Sequence, residues 1–195
     1  ALNRAAYAYA EQLEEGGSRE AAALEFAALG SYKDATIAVT NGAKAELAAA
    51  TGLTVAGDKG TINLNYGSNN EISGIATTGA DINLTGAPES TLTLTEASSM
   101  KGGSLNFGIQ SSELGATIIK KGGIEMDGTA VNVTQLDNSL VMDAVSGVNK
   151  IADLGDSEGG NVNLIGKGFD KYFVNARVEG GSVVADRNES YATDK

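Results

Sequence analysis

The chain has 195 residues, no cysteine, histidine or tryptophan, and a formal net charge of -11 from 25 acidic and 14 basic residues. Without cysteine there is no disulfide framework or thiol nucleophile, and without histidine the commonest general base and neutral metal ligand are missing. The acidic balance repels phosphate backbones and anionic lipid surfaces, and no apolar run reaches the ~18 residues of a spanning helix, so neither nucleic acid nor membrane is an expected partner.

Composition changes near residue 52. Residues 1–52, rich in Ala, Glu and Leu, read as a small N-terminal helical head. Residues 53–195, rich in Gly, Asn, Thr, Ile and Val, read as a β-rich body, so the expected class is α+β. Glycine supplies 26 residues and proline 1, a balance that suits many tight turns.

In the head, residues 4–15 predict a helix, with Tyr9 and Leu13 four apart on one face and Gly16 and Gly17 ending it. Ser18 is a good N-cap for a second helix over 19–29, and Gly30 a good C′ residue. Further helix is expected over 35–39 and, by propensity, over 43–50. Ala22, Phe26, Leu29, Gly30, Tyr32, Lys33, Asp34 and Ala35 form a string that resembles the junction between hairpins in tetratricopeptide-type repeats. The resemblance spans residues 7–40 and implies one helical hairpin. A lone unit of this kind cannot bury its own face, so it reads as a capping or docking element.

The body carries a repeat. Residues 60–64 (GTINL), 80–84 (ADINL), 103–107 (GSLNF) and 160–164 (GNVNL) share an apolar-Asn-apolar centre, with weaker copies at 123–126 and 181–184. The markers Asn63, Asn83, Asn106, Glu125, Asp143, Asn163 and Val184 recur about every 20 residues, which predicts a β-solenoid of about 20 residues per coil. Alternation then places Ile62, Leu64, Ile82, Leu84, Leu105, Phe107, Val162 and Leu164 inside and the four Asn markers outside. About seven coils at about 4.8 Å each would make a rod about 34 Å long. Strands recurring every ten or so residues also fit a β-sandwich or jelly roll. Over residues 57–185 the pattern resembles the β-helix repeats of filamentous-haemagglutinin-like secreted proteins.

Two features could carry chemistry. Asp153, Asp156, Glu158 and Asn161 lie among three glycines, the kind of oxygen-rich turning segment that calcium favours. The same loop reads equally as a solvated acidic turn. The second feature is an Asn/Thr-rich strand face, including Thr91, Thr93 and Thr95, which could meet carbohydrate. Asn83, Asn132 and Asn188 open glycosylation-type triplets. No nucleophile elbow, P-loop or dinucleotide fingerprint is present, so the chain reads as non-catalytic, with no cofactor beyond that calcium. The expected role is a structural subunit of a virion or an extracellular surface filament, partnered by its own copies or other subunits. The alternative is an extracellular glycan-binding or glycan-degrading module of adhesin or tail-spike type.

Overall fold

The computed structural model describes residues 36–40, 44–48, 54–66, 70–86, 90–138 and 140–191. Alternating apolar and polar residues, many of them β-branched, make most of this chain into strands. The first six are β1 (Thr36–Thr40), β2 (Lys44–Ala48), β3 (Thr54–Asp58), β4 (Thr61–Tyr66), β5 (Asn70–Ile72) and β6 (Gly74–Thr78). Then come β7 (Asp81–Gly86), β8 (Leu92–Leu94), β9 (Ser98–Lys101), β10 (Ser104–Ile109), β11 (Ala116–Thr117) and β12 (Ile119–Lys121). The last are β13 (Ile124–Gln135), β14 (Val148–Asp153), β15 (Glu158–Ile165), β16 (Phe173–Glu179) and β17 (Ser182–Arg187). Among the described residues the one α-helix is α1 (Lys167–Tyr172), six residues long.

Three parallel ladders organise the strands. β1, β3, β6 and β9 form one row, and β9 pairs with the first part of β13. β2, β4, β7 and β10 form a second row on the later part of β13, and β15 adds beyond it. β5, β8 and β12 make the third. The long β13 joins the first two rows through a bend at Gly128, whose φ of 64° suits glycine. Beside it Thr129 is wholly buried, and its single O–H is shared between the carbonyls of Met100 and Gly102, 3.2 and 3.1 Å away. That shared bond meets the hydrogen-bonding needs of a group that would otherwise be costly inside.

Apolar side chains stack in columns through these ladders. Ile62 pairs with Ile82, Ile82 with Leu105, and Leu105 with Val131, all four fully buried. Leu64, Leu84, Phe107 and Val133 follow the same course two residues on, and Ile75, Leu92, Met100 and Ile119 reach the core from the other ladders. Every pair among β1 to β13 is parallel. Antiparallel sheets define a sandwich or jelly roll, so that alternative does not describe this part of the chain.

The expectation of helix in residues 35–39 and 43–50 is corrected: β1 and β2 occupy this stretch. Residues 7–35 of the tetratricopeptide-type string lie outside the described residues, as do residues 49–53, where the head was expected to end. Residues 36–40, the last of the span 7–40, are strand, and the described residues contain no helical hairpin. The reason is local and non-local at once. Thr36, Ile37, Val39 and Thr40 are β-branched and lose rotamer freedom in a helix. Each of them finds a register partner in β3, from Thr36 on Thr54 to Thr40 on Asp58.

At the C-terminal end, parallel stacking gives way to a hairpin. β14 pairs in parallel with β11, but β17 runs antiparallel to β14, and β16 antiparallel to β17. The hairpin and α1 lie against β15, with Phe169 buried and Ala176 and Val178 packed on the core. β16 is the outer strand of its sheet, and it is blunted. Its register shifts between Val174 and Arg177, and Arg177 bonds Glu179 at 2.9 Å and Asp186 at 3.1 Å. Bulges and charges of this kind discourage edge-to-edge pairing.

Candidate functional site

In-register parallel strands place like residues on one another. Asn63, Asn83, Asn106, Asn132 and Asn163 therefore share a single column. Each later amide donates Nδ2 to the Oδ1 of the one before: Asn83 to Asn63 at 2.5 Å, Asn106 to Asn83 at 2.8 Å, Asn132 to Asn106 at 2.7 Å and Asn163 to Asn132 at 2.8 Å. Asn106 also donates to Ser104, whose hydroxyl donates to Asp81. The first four rungs are half-buried, and Asn163 is exposed. A slip of one residue would drive these amides into the apolar columns, so the ladder and the core enforce the same register.

The rungs are 20, 23, 26 and 31 residues apart. The segments between them lengthen along the chain, so a fixed period near 20 misplaces the later markers. Glu125 instead pairs with Ser99 and Glu158, Asp143 lies outside any strand, and Val184 sits in the antiparallel β17. The missed rung, Asn132, has the apolar-Asn-apolar signal in Val131-Asn132-Val133 but lacks the preceding glycine of most copies. The threonine face does not form a comparable ladder, because the register partners of Thr93 are Glu71 and Lys121. Two of the glycosylation-type asparagines, Asn83 and Asn132, are rungs. The third, Asn188, donates to the carbonyl of Lys171 at 3.2 Å.

The acidic segment forms a corner of the stack. Asp153 ends β14, accepts the Gly155 N–H at 2.9 Å and meets Lys150 Nζ at 2.5 Å. Asp156 and Glu158 are exposed; Glu158 opens β15 opposite Glu125, and Asn161 lies opposite Ala130. No group of three or more His, Cys, Asp or Glu that could hold a metal ion occurs among the described residues of the acidic loop. Its glycines and serine have another task. A Cβ on Gly155 would lie 2.2 Å from the Gly122 carbonyl oxygen, and one on Gly181 would lie 1.7 Å from that of Gly155. Ser157, wholly buried, donates to the Leu154 carbonyl and accepts the Ile124 N–H at 3.0 Å.

The pKa of Asp153 follows from this setting. Burial pushes it up, but the Lys150 contact and the Gly155 N–H outweigh burial and hold it below the ordinary aspartate value. A depressed folded pKa contributes stability above the unfolded value of about 3.9, and that contribution is lost as pH falls through the lower folded value. The expected outcome is a stability difference between the wild type and Asp153→Asn that is full near neutrality and shrinks below about pH 4. Urea midpoints across that range measure it; a difference independent of pH would rule the assignment out.

At the rim of the second row lies an open cavity of about 400 Å³ lined by Gln135, Asp137, Asn138, Leu140, Gly166 and Lys167. Its polar floor is matched internally. Asp137 accepts the Ser111 N–H at 2.8 Å, the Ser111 hydroxyl, and Gln135 Nε2 at 3.1 Å. Gln135 Oε1 accepts the Gly168 N–H at 2.9 Å. These bonds clasp the turn after β10 to the segment after β13.

Among the described residues no helix is long and apolar enough to cross a membrane. No family model, curated protein or solved structure matches the chain. The likeness to filamentous-haemagglutinin-like repeats therefore has no match behind it.

Proposed function

We propose that the chain is a non-catalytic structural module of a larger assembly, a virion or an extracellular filament, and that its ladders are successive coils of a β-solenoid. Under this reading the trio β3, β4 and β5 is one coil and β6, β7 and β8 the next, each giving one strand to each ladder. The carrying observation is the five-rung amide ladder beside fully buried apolar columns. The repeated amides bond to one another along the stack axis. Chemistry repeated from rung to rung in this way supports a stiff, elongated scaffold whose stability comes from neighbour contacts.

Negative-stain microscopy of the purified full chain, alongside binding to a panel of glycans, tests the proposal. Discrete oligomers or ordered polymers without glycan binding are expected. Monomers that bind a glycan would replace the scaffold by an adhesin-type role.

A further inference from the structure

We infer that the outer edge of β15 docks an extended, basic segment of a different polypeptide, which adds in parallel as the next rung with an amide side chain over Asn163; the inference rests on the scaffold reading above and names the contact to its partner. Among the described residues β15 pairs with β13 on one side and with no strand on the other. The N–H of Ala130 in β13 turns back to Gly103, and Ala130 stands in register with Asn161. Alternate residues of a parallel strand turn their main-chain groups to opposite neighbours. Those of Asn161 and Asn163 therefore face β13, and those of Val162 and Leu164 face outward.

The rung chemistry of the stack describes the occupant. Asn163 donates Nδ2 to Asn132, as each later rung does to the one before, and its own exposed Oδ1 is the acceptor that a further rung would use. The apolar columns thin out at the same place. Val131 and Val133 are wholly buried, whereas their register partners Val162 and Leu164 are half-buried. A strand that continues main chain, amide and apolar columns together carries Asn between two apolar residues, the arrangement that already stacks four times within this chain. In such strand addition the main-chain bonds give affinity and the alternate side chains give specificity.

The edge is also unguarded. Residues 161–165 carry no charge, and their register with β13 is unbroken. A bulge and charges protect β16, and this stretch of β15 has neither. Charge then selects the partner. A second copy carrying -11 is repelled, whereas a basic segment is attracted. Its lysines or arginines have a local target. Glu125 and Glu158, both exposed, stand opposite each other in register at the start of β15, an unfavourable pairing that a cation relieves.

The probe is a labelled peptide of residues 128–135 preceded by lysines, titrated with the full chain and read by fluorescence anisotropy. Binding with Kd below about 1 mM is expected, and it should weaken at high salt. A scrambled peptide with the same lysines, and a peptide carrying Asn132→Val, should each bind about tenfold more weakly or worse. Val162→Pro in the chain removes an outward N–H that an edge strand can spare, and should weaken binding to the same degree. A thermal melt shows whether that variant folds; if it does not, Asn163→Thr, which removes the acceptor and leaves the main chain intact, gives the same readout. No binding, equal binding of the scrambled peptide, or binding unchanged by the chain variants overturns the proposal and leaves the scaffold reading to the microscopy above. Self-association that competes with the peptide makes a second copy the occupant and overturns it as well.

Discussion

Leu84→Asp is expected to destabilise the fold by more than about 4 kcal/mol, enough to unfold a domain of ordinary stability. Leu84 is 4% exposed, stacks on Leu64 and belongs to the same buried cluster as Phe107. A carboxylate there has no cation to pair with among the buried residues of that cluster. The neighbouring Asn83→Asp is expected to cost less, about 1–3 kcal/mol. Its carboxylate can still accept from Asn106, but it loses the donor that bonds Asn63 and sets two oxygens facing each other. Thr85→Asp, at an exposed position whose hydroxyl makes only a long 3.4 Å contact, should be milder still. Urea midpoints of the three variants should fall in that order. Equal midpoints for Asn83→Asp and Thr85→Asp would show that the amide ladder contributes nothing to stability.

The second large effect is expected from one methyl group. Gly155→Ala should cost about 2–4 kcal/mol, from a left-handed backbone and from steric overlap with main chain. Gly155 has φ 64°, and its Cβ would sit 2.2 Å from the carbonyl oxygen of Gly122, a group that already accepts the Asp156 N–H at 2.8 Å. Main chain cannot rotate aside as a flexible side chain can, so the corner must open. Gly180→Ala is the comparison, because its φ is also positive but nothing lies within 4 Å of a Cβ there. Thermal melts of the two variants separate the terms. Equal losses would mean that backbone conformation alone sets the cost and that close stacking at the corner contributes nothing.

The contrast also explains the acidic loop. Asp153, Asp156, Glu158 and Asn161 crowd together in sequence because a tight corner is rich in turn-forming residues. The corner itself brings main chain onto main chain, Gly155 against Gly122 and Gly181 against Gly155.

The apolar-Asn-apolar alternation by itself determined which residues of β4, β7 and β10 are buried and which form the outer amides. Side-chain direction in a strand follows a period of two, a property of each strand alone. The abundance of glycine likewise announced many turns. Tertiary structure decided the rest. Asn132 joins the ladder because β13 pairs with β10, and the length of chain between rungs is free to vary while their register is not. Strand β2 overrides a local helical propensity through pairing with β4, a contact distant in sequence, while β1 follows its β-branched residues onto β3. The Gly-Ser-Val-Val segment at 181–184 looks like another coil, yet the tight turn at Gly180 and Gly181 sends it back antiparallel. Pairing direction depends on which edge the chain meets after the turn, and the residues of a single strand do not encode that edge.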